Sequence, residues 1–317
     1  MNPQWVSFPE ALVPVYPEQV TVTRCGRLPS MASLRFALPN KGSLSEPAAR
    51  MLSEAGYRVS RSGRELIVAD KANGVQFFFL RPRDIAVYVG EGSLDVGITG
   101  RDLLLDSTIA ADEILPLGFG RASFYFAGVP GAISDVSELA GRRIATSYPK
   151  LVRRHLEDQG IKADLVRLDG AVETAVELGV ADAIADVVET GITLKTSGLA
   201  TFGDPILRSE AVLIQRDATR VDAETAEAVE VLVRRLKGVL IARSYVILDF
   251  DCPTSAQEEA FKLVPGIEAP TVSPLAREGW VAVRSLVPRH DAPKIMDQLW
   301  NVGARAILVS SLDTCRI

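Results

Sequence analysis

The chain has 317 residues, 47% of them apolar and 24% charged, and carries a formal net charge of −5. That length exceeds the usual single domain and supplies enough apolar material for a sizeable core. The acidic balance excludes a surface built to recruit nucleic acid, which needs excess Lys and Arg, but leaves room for a local site that takes small anions.

Cys25, Cys252 and Cys315 are odd in number, far apart and outside any CxxC, so neither a disulfide framework nor a zinc site is expected. His155 and His290 are the only histidines, which excludes a His-rich metal centre. A reducing, cytoplasmic setting is the expectation. No window approaches the roughly 18 consecutive apolar residues that span a bilayer, so no membrane partner is expected. Residues 1–32, with Pro3, Pro9, Pro14, Pro17 and Pro29, lack the basic start and apolar middle of a secretion signal. They read as a disordered extension, upstream of a start at Met31.

Leu34–Leu38 suits a strand, after which Ser43-Leu44-Ser45-Glu46 has capping-box spacing and Pro47 fits a first helical turn. Ala48, Met51, Leu52 and Ala55 then share one apolar face, with Gly56 as the stop. "VQFFFL" at 75–80 predicts a buried strand, "PRDIAVYVGEG" a helix, and "LDVGITG" at 94–100 a strand entering a glycine-bearing loop. From Gly141 the alternation restarts: strand "RRIATS", helix "YPKLVRRHLEDQG", strand "ADLVRL", helix "GAVETAVELGVA" and strand "DAIADVV". Such alternation argues for mainly parallel sheets, whose ligands collect beyond the carboxyl ends of the strands.

A helix over Ala223–Gly238 returns the chain to the first unit. The remainder reads as strand 245–250, helix 255–263 with a Ser255/Glu258 capping box, strands 270–274 and 279–287, helix 291–302 and strand 305–311, a βαββαβ order. The expected fold is therefore α/β, a two-lobed, periplasmic-binding-protein-like region followed by a small ferredoxin-like domain. The division is 33–122 with 217–243 for lobe I, 123–216 for lobe II and 244–317 for the third domain.

The run Asp186-Val187-Val188-Glu189-Thr190-Gly191-Ile192-Thr193 ends an apolar strand in a polar turn. Gly191 permits positive φ and close approach of a ligand, Thr190 and Thr193 add hydroxyl donors, and Asp186 can accept from sugar hydroxyls. Together they describe a sugar-phosphate grip. The T-G-x-T core taken alone more often marks an ordinary strand-to-helix turn with capping threonines.

The longer pattern Glu173, Gly179, Ala181, Ile184, Asp186, Val187, Thr190, Gly191, Thr193 and Leu194 resembles the signature of the ATP phosphoribosyltransferase family, the first enzymes of histidine biosynthesis. "LPNKGSLSEPA", "FFFLRPRDI", "LDVGITGRDL", "RIATSYPKLVRRHL" and "SEAVLIQR" are similar to that family too, particularly to actinobacterial members, and the third domain is similar to the long form. The resemblance covers roughly residues 33–317.

The resemblance implies a pentosyl transfer: phosphoribosyl pyrophosphate donates its sugar to N1 of ATP, and pyrophosphate leaves with Mg²⁺ on substrate oxygens, so no protein metal ligands are expected. It implies that Asp186, Val187, Glu189, Thr190, Gly191, Ile192 and Thr193 hold the donor, with Asp169, Gly170 and Ala171 as a second loop. Lys41, Gly42, Arg81, Gly100, Arg101, Asp102 and Tyr148 would form the opposite wall for ATP and pyrophosphate, and Glu173 is a candidate base. The third domain would bind the inhibitor L-histidine through Asp251 and Thr271, and the chain would assemble into dimers and hexamers. Two other readings stay open: a non-catalytic solute sensor with two lobes, and a transferase for a free base.

Overall fold

A computed structural model describes residues 34–60, 63, 65–188, 191–217, 219 and 221–316. The expected N-terminal extension, and Glu189 and Thr190 of the donor loop, lie outside the described residues.

In chain order the first half comprises β1 Leu34–Pro39, α1 Ser45–Glu54, β2 Ile67–Asp70, β3 Val75–Leu80, α2 Pro82–Gly90, β4 Val96–Gly100, α3 Arg101–Ser107 and β5 Ala111–Pro116. A second series follows: β6 Ala122–Gly128, β7 Arg143–Thr146, α4 Pro149–Asp158, β8 Asp164–Arg167, α5 Thr174–Glu177, β9 Ala183–Val188, α6 Ile192–Thr196 and β10 Ala200–Ser209. Then come β11 Ala211–Arg216, α7 Ala223–Ser244, β12 Tyr245–Pro253, α8 Gln257–Leu263, β13 Thr271–Pro274, β14 Trp280–Pro288, α9 Ala292–Asn301 and β15 Arg305–Ser311.

Three sheets result, ordered β2-β3-β1-β4-β11-β5, β10-β6-β9-β7-β8 and β13-β14-β12-β15. In the first, β3, β1 and β4 run parallel and β11 antiparallel to β4. In the second, β8, β7 and β9 run parallel and β6 antiparallel to β9. In the first sheet β2 is also antiparallel to β3; the antiparallel strands β11 and β6 each arrive from the other sheet, since β10 leads into β11 and β5 into β6. The fold is α/β with two such lobes. The third sheet is antiparallel throughout and has the ferredoxin-like order.

Burial explains the layers. Phe36, Leu38, Phe77, Phe79, Met51, Leu52, Leu232 and Leu236 pack one face of the first sheet under α1 and α7, each buried large apolar side chain contributing about 2 kcal/mol over an exposed one. Ala37, Ile85, Val89 and Leu104 fill the other face under α2 and α3.

Five expectations need correction. Helix α1 begins at Ser45 with Leu44, not Ser43, at the N-cap and no side-chain cap bond; the Ser45 hydroxyl donates to the Pro39 carbonyl. Helix α8 begins at Gln257 after a single 3₁₀ turn, Thr254–Ala256, with no side-chain cap. The helix expected across 170–181 shrinks to α5, four residues long, because Gly170 and Gly179 adopt positive φ on either side. Strand β11, which the division placed with lobe II, runs between β4 and β5 of the first sheet; its apolar face cannot reveal which sheet it joins.

Helix α7 also runs past Gly238 to Ser244. A Cβ at Gly238 would collide with the Cys315 carbonyl, and the Cys315 thiol donates to the Gly238 carbonyl at 3.3 Å. The glycine weakens the helix but lets the C-terminal segment lie across it.

Candidate functional site

The carboxyl ends of β1, β3 and β4 share one edge of the first sheet because those strands are parallel neighbours, and the ends of β9, β7 and β8 share one edge of the second. Every described catalytic-region residue singled out from the sequence falls on one of these ends or on the segment that follows it. The two edges face each other, since the Lys150 and Leu151 amides, after β7, donate to the Asp106 carboxylate, in α3 after β4.

On the second lobe, Asp186 lies on β9 five residues before Gly191, with Val187 next to it on the strand. Gly191 has φ +70°, is the N-cap of α6, and has only Val188 near its missing Cβ, at 3.8 Å. Its glycine is therefore required by backbone conformation, not by crowding. Ile192 and Thr193, opening α6, are exposed. Asp186 accepts the Val187 N–H at 2.8 Å. Burial pushes its carboxyl up to about 6, with Glu173 and Asp102 raising it and Arg83 opposing.

The second loop is Asp169-Gly170-Ala171. Gly170 has φ +112° and Ala171 φ +49°, a left-handed non-glycine of the kind that persists where the surroundings enforce it. The Ala171 carbonyl accepts from the Thr174 hydroxyl at 2.8 Å, fixing the turn ahead of α5. Glu173 is the N-cap residue of α5 and faces Asp186 electrostatically. Asp169 lies beside Arg167, at 3.6 Å, out in solvent.

On the first lobe, Lys41 and Gly42 form an exposed turn, Gly42 at φ +81°. Arg81 is the exposed N-cap of α2. Gly100 leads directly into α3, and a Cβ there would collide with the Asp102 carboxylate.

Two expected wall residues are engaged within the protein. The Arg101 guanidinium makes a two-pronged bond to Glu113, Nε to Oε2 at 2.8 Å and Nη2 to Oε1 at 2.7 Å, and lies 3.4 Å from Glu210. Its amide donates to the Glu210 carbonyl, so Arg101 clasps the segment that links the lobes. Tyr148 packs edge-on against Phe124, 5.1 Å between centroids, under the Arg83 guanidinium at 4.8 Å. Burial and then Asp102 push its phenol well above the ordinary range, so it stays protonated.

Sequence reading did not single out Asp106, Arg121 or Arg208. The last two line a hollow of about 370 Å³ with Arg101, Ser123, Val188 and Ser209, beside the Gly191 turn. Lone exposed arginines carry no signal in one sequence; what brings these together is the pairing of Ser123 with both Val188 and Arg208 across three strands. In the third domain Asp251 and Thr271, distant in sequence, line one cavity of about 410 Å³ with Asp249, Ser273 and Arg284. Arg284 donates to Asp249 at 2.7 Å there.

These features define a two-lobed α/β protein with its polar residues gathered at facing strand ends, joined to a separate βαββαβ domain. The ATP phosphoribosyltransferase family model matches residues 81–238, and the model of that family's C-terminal domain matches 242–314. A protein from Paenarthrobacter aurescens, described as ATP phosphoribosyltransferase, is 61% identical over 285 residues, 90% of this chain and 100% of its own length. One of the same description from Streptomyces coelicolor is 57% identical over 284 residues, again 90% and 100%. Among solved structures, an ATP phosphoribosyl transferase (HisG:HisZ) complex from Thermotoga maritima matches with a TM-score of 0.56 and 26% identity, covering 64% of this chain and 96% of that one. The chain belongs to the ATP phosphoribosyltransferase family.

Proposed function

We propose that the cleft between the two lobes transfers the phosphoribosyl group of phosphoribosyl pyrophosphate to N1 of ATP, releasing pyrophosphate. The observation that carries this reading is the turn at Gly191: its left-handed backbone opens α6 at the carboxyl end of a central parallel strand, where oriented N–H groups favour an anion. The segment Thr190–Thr193 takes the 5′-phosphate, with Val187, Glu189 and Ile192 shaping it. Asp186 faces the ribose, and Asp169-Gly170-Ala171 closes the donor side.

ATP and the departing pyrophosphate lie along Lys41-Gly42, Arg81 and the Gly100–Asp102 turn, with Tyr148 beside the nucleotide. Mg²⁺ arrives with the polyphosphates as part of the substrate, held mainly by their oxygens. It neutralises their charge there.

The chemistry needs no covalent nucleophile. As the bond to pyrophosphate breaks, positive charge develops at the anomeric carbon, and the protein contributes by aligning N1 with that carbon and by holding the leaving charge. Glu173, next to Asp186, accepts the proton lost from the adenine amino group. Glu173→Gln at unchanged turnover would remove it from this role.

The third domain is the seat of inhibition by L-histidine: Asp251 pairs with the amino group and Thr271 hydrogen-bonds the ligand. The working form is a homo-oligomer, dimeric to hexameric, in the cytoplasm. Replacing ATP by adenine in a pyrophosphate-release assay tests the acceptor: release with ATP alone supports the reading, and release with adenine alone sinks it.

A further inference from the structure

We infer that α3 latches the two lobes together over the cleft and that Asp106 is its positioning residue for phosphoribosyl transfer; the second half rests on the functional reading above. Helix α3 is only seven residues long, yet it carries two buried acids one turn apart, Asp102 and Asp106. Each spends one oxygen across the lobe boundary.

Asp106 is 7% exposed. Its Oδ1 accepts the backbone N–H groups of Lys150 at 3.0 Å and Leu151 at 3.1 Å, in the first turn of α4 on the second lobe. Its Oδ2 accepts from Arg83 of the first lobe at 3.1 Å. First-turn amides of a helix have no partner within it, so Asp106 serves α4 as a cap supplied by the opposite lobe. The Lys150 ammonium returns the contact, donating to the Ser107 carbonyl at 3.0 Å and the Thr108 hydroxyl at 3.1 Å. One turn earlier, Asp102 Oδ1 accepts the hydroxyl of Ser209, at the end of β10 in the second sheet, at 2.6 Å.

A carboxylate taken out of water persists only when charge and N–H donors compensate it. Here two of the three donors to Asp106, at the positive end of α4, belong to the other lobe. Separating the lobes would leave Asp106 with Arg83 alone and two helix amides bare, so these bonds favour the closed arrangement specifically. Closure also sets how the walls meet. Arg83, fixed by Asp106, lies over the Tyr148 ring, and the elements carrying both residues are those assigned above to ATP and pyrophosphate. A protein that binds only when closed shows an affinity reduced by the closed fraction.

Hydrogen–deuterium exchange of the full chain reads the latch directly at the amides of Lys150 and Leu151. In the unaltered protein they should be protected; Asp106→Ala should speed their exchange about tenfold or more, and Asp106→Asn by less, since its carbonyl still accepts. Steady-state kinetics then test positioning: in Asp106→Asn, KM for both substrates should rise by a common factor of about ten with kcat within about twofold. Unchanged exchange in Asp106→Ala overturns the latch; should that variant not fold, unchanged exchange in Asp106→Asn does so. Faster exchange with both KM values unaltered overturns the positioning role. Absence of transferase activity in the unaltered chain would instead sink the functional reading and leave the exchange result standing.

Discussion

Asp186 shows how one residue registers the environment of the cleft. Its carboxyl is raised by burial to about 6, above the ordinary value near 4. A raised folded-state pKa contributes stability that is fully present below the unfolded value and is lost as pH climbs through about 6, so at pH 7 the ionised group is a burden. Asp186→Asn should therefore be more stable than the unaltered chain by about 2 kcal/mol at pH 7, with the gap closing as pH falls toward about 4. Denaturant titrations at the two pH values check this, and a gap independent of pH would contradict it. Gly191 makes the complementary case. Gly191→Ala meets no steric obstacle, yet an L-residue at φ +70° costs about 1 kcal/mol. Calorimetry should find a folded protein whose affinity for phosphoribosyl pyrophosphate falls about tenfold or more while its affinity for ATP barely moves.

Among the elements, the segment joining the lobes separates two roles for Arg101. The Leu117 amide donates to the Ala211 carbonyl and the Ala211 amide to the Phe119 carbonyl, both at 2.9 Å, so the two connecting stretches run paired. Arg101 clasps them through Glu113 and Glu210. Arg101→Met should lower unfolding stability by about 1 to 2 kcal/mol, because a partly buried two-pronged pair is lost. Full stability with a raised KM would assign the guanidinium to substrate instead. Most elements were legible because their period and punctuation agreed: "VQFFFL", Pro82 at the start of α2, and the strand ending at Gly100; the helix α3 that follows was read as a loop. The misread ones were those decided by distant partners. Helix α1 starts beyond Ser43, its first residue tied back to the Pro39 carbonyl, β11 joins whichever sheet offers an open edge beside β4, and α7 tolerates Gly238 because the C-terminal segment occupies the space. Asp106 was invisible for the same reason: an acid after three leucines has no local meaning until α4 is brought against it.

Across the whole molecule, three sheets divide the labour. Two hold facing strand ends around a cleft, and the third, joined through α7, presents Asp251 and Thr271 to a cavity of its own. If that cavity governs the cleft, the double replacement Asp251→Ala with Thr271→Ala should abolish inhibition by histidine and leave uninhibited turnover within about twofold, since coupling requires a ligand that favours one arrangement over another. Retained inhibition in initial-rate assays would move the effector elsewhere. The chemistry of the cleft has a more direct test. The intact chain is incubated with ATP, phosphoribosyl pyrophosphate and Mg²⁺, and the products are identified by mass. The account predicts a nucleotide with the ribosyl phosphate added to the adenine of intact ATP, together with an equal amount of pyrophosphate; ATP recovered unmodified would contradict it.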